Sequence, residues 1–290
     1  MLELLQQSLF SGLLVGSVYA LVALGIALTF GAMKIINLAH GELVLLAAYM
    51  AYVIESRTGW NPYAAIPLAF ALTGIVSVVI YLLIERIREH RELNSLILTF
   101  AIGIILTNAI LLVFASDVRS TGSPFLQDAV SFGPVYAMKG EITAFIISLA
   151  VMAGLWWWLK NSWYGRAVRA VSSNRDAAKL MGIDPRRVEL AAFIVAGILA
   201  SVAGVALYTM SVVQPALGPG LTIKAFIVAV LAGVGSIPGV FCAALLLGVT
   251  EAMTVTLASS ALQELVGMVL FLLVLFFMPN GLFGARARRG

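Results

Sequence analysis

Ten consecutive residues, Ser173-Asn174-Arg175-Asp176-Ala177-Ala178-Lys179-Leu180-Met181-Gly182, have the caps, charges and small side chains of a helix in water, yet they lie between stretches suited to lipid. Ser173 and Asn174 are residue types that cap helix N-termini. Asp176 sets a negative charge against the positive end of the helix dipole. Ala177, Ala178, Lys179, Leu180 and Met181 are strong helix formers. Gly182 suits the left-handed position just past a C-terminus, and Asp184-Pro185 reads as the cap and first residue of the next helix. So short a helix is marginal alone. Ala177, Ala178, Leu180 and Met181 also give it an apolar side that its own loop is too short to cover. Two roles fit: docking onto a protein partner, or lying on acidic lipid headgroups with Arg166, Arg169 and Arg175 nearby. Residue physics alone leaves both open.

A second group of chemically capable residues lies within apolar sequence. Asn37, His40 and Glu42 fall at the start of an apolar segment. A charge at mid-bilayer costs roughly 2.5–3.5 kcal/mol on insertion scales, so such groups face a cavity, pair with one another or sit at an interface. His40 and Glu42 are too close in sequence to share a helix face, whereas Asn37 can share one with His40 or Gly41. One reading is a helix break beside a transport pathway. The other is a polar knot fixing the turn between two spans, with Lys34 marking the membrane interface. Gly233-Val234-Gly235-Ser236-Ile237-Pro238-Gly239 interrupts a later span, and such breaks line cavities or allow close helix packing. Gly235, Ser236 and Glu251 therefore join Asn37, His40 and Glu42 as candidates for a translocation pathway. Lys224 is expected to snorkel to the outer surface, and Glu251 to pair with a neighbouring helix or a sister subunit. Trp156, Trp157 and Trp158 read as an interfacial belt.

Other chemistry is missing from the sequence. No Lys is followed by Ser or Thr, so no phosphate-cradling Gly-x-x-x-x-Gly-Lys-Ser/Thr loop is present. There is no catalytic constellation, no metal-binding helix, and no basic tract interleaved with aromatics for nucleic acid. The single Cys242 excludes an internal disulfide and is expected to be a small packing residue.

The elements that must hold these residues follow from composition. Charged residues are 11% of the chain, under half the usual share of a soluble domain, and mean hydropathy is +1.03. The fold class is therefore all-α, a polytopic integral membrane protein with eight or nine transmembrane spans, some short or broken. The spans are expected at 9–30, 41–54, 62–84, 95–115, 142–159, 190–211, 222–234, 238–257 and 262–278, the 222–234 segment being short enough to cross or re-enter. No linker divides residues 1–290, so one membrane domain is expected, with an intracellular loop at 160–189. Thirteen of the 18 Lys and Arg residues lie in the 86–91 loop, the 160–187 loop and the C-terminal tail. That bias makes these segments cytoplasmic and puts the N-terminus outside. Glu3 and the lack of Lys or Arg before the first apolar run argue for a retained first span.

Motifs across the chain resemble those of a known family. Asp176-Ala177-Ala178, then Gly182, is similar to the Glu-Ala-Ala-x-x-x-Gly loop of ABC importer permeases, with aspartate for glutamate and without the later Ile-x-Leu-Pro. Five further segments resemble the branched-chain amino acid permeases, specifically the Liv H-type subunit. They are Asn37-Leu38-Ala39-His40-Gly41-Glu42, Gly165-Arg166-Ala167-Val168-Arg169-Ala170, Met181-Gly182-Ile183, Lys224-Ala225-Phe226 followed by Ala232–Gly239, and Met278-Pro279-Asn280-Gly281. Arg88-Glu89-His90-Arg91 departs from an Arg-Pro-rich segment in many relatives.

The resemblance implies a permease of an ATP-driven importer in the bacterial inner membrane. Its partners would be a second homologous permease, two ATPase subunits and a periplasmic substrate-binding protein. ATP and Mg would be bound by the ATPases and no cofactor by this chain. The 174–182 helix would be the coupling helix, with Arg166, Arg169, Asn174, Asp176, Ala177, Ala178, Leu180 and Gly182 as its coupling residues. The implied substrates are branched-chain or other hydrophobic amino acids. Urea or a short amide on the same type of machine is the nearer alternative. A secondary transporter or channel, relying on Glu42, Glu251 or Glu264, is the farther one.

Overall fold

The structure is a computed structural model that describes residues 1–233, 236–278 and 281–283. Its helices are α1 (Leu2–Met33), α2 (His40–Thr58), α3 (Ile66–Glu85), α4 (Arg91–Phe114) and the single-turn α5 (Pro124–Gln127). After a hairpin of β1 (Ala129–Phe132) and β2 (Val135–Met138) come α6 (Lys139–Asn161), α7 (Trp163–Ser173) and α8 (Arg175–Leu180). The chain ends with α9 (Pro185–Met210), α10 (Leu217–Ala232), α11 (Ile237–Leu257) and α12 (Gln263–Phe277). Among the described residues, 7 helical segments are long and apolar enough to cross a membrane. The other two predicted spans are α2, which carries Glu42, Glu55 and Arg57, and the 16-residue α10. The polytopic all-α reading holds, and the antiparallel hairpin is an addition that the sequence reading left within a loop.

Helices α1 and α9 form the buried centre, while α4 and α12 are the most exposed of the long helices. α1 is apolar all round, the composition of a helix with no water-facing side. Its glycines admit α11 closely: Gly12 and Gly16 lie against Gly248 and Ala244, and Ser8 meets Thr256. That ladder makes the two helices antiparallel.

The packing repeats with inversion. α1 packs on α11 as α9 packs on α3, and α2 packs on α9 as α10 packs on α1, while α2 meets α10 and α1 meets α9. Segments α1–α4 and α9–α12 thus form two halves of opposite direction, an arrangement that places short, interrupted helices at the centre. Here those helices are α2 and α10.

The molecule has two distinct ends. One carries α5 and the hairpin, where Arg119 bridges to Val213. The other gathers the basic loops: Arg186 pairs with Glu85 at 2.7 Å and Arg91 with Glu189 at 3.1 Å. The Arg286, Arg288 and Arg289 tail used in the orientation argument lies outside the described residues. Cys242 is exposed on α11 and does not pack in the core, because its position points away from α1.

Candidate coupling surface and translocation core

The basic end is built around a helix absent from the sequence reading. α7 is strongly amphipathic and folds back sharply after α6. Ser162 caps it, accepting from the Gly165 amide at 3.1 Å. Gly165 sits so close to α6 that a Cβ there would overlap the Leu159 carbonyl. Arg169 donates to that same carbonyl at 3.1 Å, and Arg166 donates to the Asn161 carbonyl at 3.3 Å. Both arginines therefore satisfy the free carbonyls that end α6. Tyr164 donates its hydroxyl to the Val188 carbonyl at 2.8 Å; burial pushes this phenol up, which keeps it a donor.

α8 forms as its residues dictate. Asn174 accepts through Oδ1 from the Asp176 and Ala177 amides at 3.1 and 3.0 Å. Ser173 is the last residue of α7, so the cap is Asn174 alone. Gly182 takes φ +80°, and the Ile183 amide closes the turn on the Ala178 carbonyl at 3.0 Å. Asp184 caps α9 through the Arg186 amide at 3.0 Å, with Pro185 in the first turn.

The apolar side of α8 is divided between two environments. Ala178 is buried against Ala167, Val171 and Val188, so α7 and α9 do cover part of it. Leu180 and Met181 stay 89% and 82% exposed. Asp176 projects outward with its side chain 91% exposed, paired with Lys179 at only 3.7 Å. The inner end of α8 is pinned electrostatically. Glu189, buried to 1%, takes Arg175 at 2.9 and 3.2 Å and Arg91 at 3.1 Å. This joins the starts of α4, α8 and α9. The sequence marks Glu189 only as a lone acid just before the 190–211 span.

The second cluster lies where α2 begins. Asn37 is buried outside any helix and accepts from the Ala39 amide at 3.1 Å, turning the chain inward. The Gly41 amide donates to Thr222 of α10 at 2.8 Å, and the Leu38 amide to Thr99 of α4 at 3.1 Å. His40 and Glu42 are buried on different sides of α2. His40 lies against Gly25 of α1, and Glu42 against Gly103 of α4 and Gly218 of α10. Gly25 precedes the last residue of α1 by eight positions, about 12 Å along the axis. The residues after Lys34 turn back into the protein, so α2 starts beside Gly25 and not level with the end of α1. His40 Nε2 and Glu42 Oε2 have no partner among the described residues.

A third cluster surrounds Glu251. Its Oε2 accepts from Lys224 Nζ at 2.8 Å, Tyr19 at 2.9 Å and Gln263 at 2.9 Å. Lys224 does not snorkel outward. Its side chain is 16% exposed and its carboxylate partner 2%, because Glu251 offers a nearer counter-charge than the interface. Tyr19 and Gln263 were not singled out in the sequence; nothing local marks a Tyr on an apolar helix as a hydrogen-bond donor to a distant acid. Ser236 caps α11, accepting from the Gly239 amide at 3.1 Å. Gly235 lies outside the described residues. The five pathway candidates among the described residues thus do not converge: Asn37, His40 and Glu42 share the α2 start, Glu251 sits apart, and Ser236 stands at the basic end. Glu264 is exposed at the start of α12.

Sequence comparison places these features in context. Residues 8–278 match the family model described as branched-chain amino acid transport system, permease component. The chain is 34% identical to the high-affinity branched-chain amino acid transport system permease protein BraD of Pseudomonas aeruginosa, covering 96% of this chain and 95% of that one. It is 32% identical, with the same coverage, to the corresponding protein LivH of Escherichia coli K12. It is also 28% identical to the ribose import permease protein RbsC of E. coli K12, over 92% of this chain and 84% of that one.

Proposed function

The chain belongs to the family of branched-chain amino acid transport system permease components, and from that premise we propose that it is the membrane-spanning subunit of an ATP-driven importer for branched-chain or other hydrophobic amino acids. The observation that carries the proposal is α8. A capped helix presents Asp176, Leu180 and Met181 outward, while Glu189 ties its other end to two long helices. An exposed apolar knob fixed to a rigid base suits a cleft on a separate protein. Asp176, Leu180 and Gly182 shape the knob. Asn174 and Ala178 hold it, and Arg166 and Arg169 seat the helix before it.

In this reading the basic end is cytoplasmic, the N-terminus is outside, and the chain sits in the bacterial inner membrane. Two ATPase subunits bind ATP and Mg, and their closure moves α8. A second, homologous permease completes the pathway, and a periplasmic binding protein delivers substrate. The substrate class follows the printed functions of BraD and LivH. The likeness to a ribose permease supports a scaffold whose selectivity rests largely with the binding protein. The pairing of Glu251 with Lys224 leaves that acid unsuited to carrying a coupling ion.

The test is purification of the tagged chain in mild detergent with identification of co-purifying proteins, then ATP-driven leucine uptake by the reconstituted assembly. Stoichiometric ATPases and a second permease are expected. A chain that transports leucine alone, without ATP, would overturn the reading.

A further inference from the structure

At the basic end, a cavity of about 340 Å³ opens between α1, α6, α7 and α11. Its floor is hydrocarbon, from Leu24, Leu28, Leu155, Val168, Ile237 and Val240. Its rim carries two cations, Lys34 and Arg169. Neither forms an ion pair among the described residues. Lys34 stands at the end of α1 with its ammonium 5.8 Å from the Phe30 ring centre, and Arg169 donates only to a backbone carbonyl. No described Asp or Glu lines the space.

This combination selects its occupant. Two unpaired cations call for an anion, and the floor calls for a hydrocarbon chain. A free amino acid fits poorly, because its ammonium group would meet two like charges and no carboxylate. Inorganic phosphate would leave the apolar floor unused. Basic pockets between membrane helices at the cytoplasmic side are suited to acidic lipid headgroups. We propose that this cavity holds one anionic phospholipid, its phosphate between Lys34 and Arg169 and an acyl chain along the α1–α11 floor. Only the choice of leaflet rests on the proposed orientation. The lipid touches α7 at Val168 and Arg169 and so braces the helix that precedes α8.

The test uses the purified full chain, exchanged into detergent with palmitoyl-oleoyl phosphatidylglycerol or with the matching phosphatidylcholine, and native mass spectrometry of retained lipid. Phosphatidylglycerol should be retained at one per chain and phosphatidylcholine lost. A basic side chain near an anionic headgroup contributes on the order of fivefold in affinity, so Lys34→Gln with Arg169→Gln should lower retention roughly 25-fold. Gly31→Leu is the second variant. Gly31 lines the cavity and a Cβ there meets open space, so the leucine fills the acyl slot without crowding the fold. It should abolish retention with both cations intact. Arg88→Gln, at the same end but away from the cavity, should change nothing. Full retention by Gly31→Leu, equal loss with Arg88→Gln, or displacement by inorganic phosphate alone would each overturn the proposal. None of these readouts depends on ATPases or uptake, so a failed importer reading would be seen separately.

Discussion

Leu180→Ala separates a docking knob from a structural helix. Leu180 is 89% exposed, so truncating it removes almost no contact within the chain. Its fold and melting temperature in detergent should be unchanged. Leucine exceeds alanine by three carbons, each worth about 0.8 kcal/mol when buried, so truncating a Leu180 buried in a partner's cleft costs about 2.4 kcal/mol, or ~60-fold in Kd. Neighbouring Ala178 should behave in the opposite way. It is 3% exposed and enclosed by Ala167, Val171 and Val188, so Ala178→Leu should overpack the loop and destabilise it by about 1–3 kcal/mol. The assay is a titration of purified permease with its ATPase subunits, run beside thermal unfolding. Unchanged ATPase affinity in Leu180→Ala, or a lowered melting temperature, would refute the assignment of α8 as a docking element.

Three further outcomes follow from the geometry. Lys224→Met leaves the buried Glu251 carboxylate without its cation and should destabilise by about 3 kcal/mol, most of it recovered by adding Glu251→Gln; thermal unfolding of both variants measures this. Gly165→Ala drives a methyl group into the Leu159 carbonyl and should loosen α7 from α6, read as faster proteolysis within 160–189. In a Cys242→Ala background, cysteines at Ser120 and Ser173 should react with a membrane-impermeant maleimide from opposite sides, and labelling from one side would break the proposed orientation.

Local chemistry was readable in the sequence. Asn174, Gly182 and Asp184-Pro185 set the bounds of α8 and the start of α9 because caps act over three or four residues. The spans were readable because lipid imposes length and apolarity. What escaped was the direction in which each side chain faces. In water, periodicity marks the buried face; in a membrane, lipid-facing and protein-facing sides are both apolar. Nothing along α1 announces that it is central, or along α12 that it is peripheral. The division of α8 between buried Ala178 and exposed Leu180 depends on α7, whose polar, glycine-containing sequence reads as loop. Pairings such as Tyr19 with Glu251 span 232 residues, a separation that no local pattern encodes.

The contacts assemble into a continuous route from α8 to the interrupted helices. Arg175 and Arg91 converge on Glu189, at the start of α9. Further along α9, Gly204 lies against the Val44 carbonyl and Ala47 of α2. The Gly41 amide of α2 is bonded to Thr222 of α10, and Lys224 on α10 is held by Glu251 of α11. Spatial continuity is necessary for a mechanical linkage, and coupling must be measured. Glu189→Gln weakens the first junction without touching the exposed knob. ATPase binding should persist, whereas the leucine moved per ATP hydrolysed should fall, since α8 could then move without carrying α4 and α9. An unchanged transport ratio in Glu189→Gln would show that the stroke reaches the membrane helices by another route, through the 181–184 turn and the Ala178–Val188 contact into α9 or through α7 and its seat on α6.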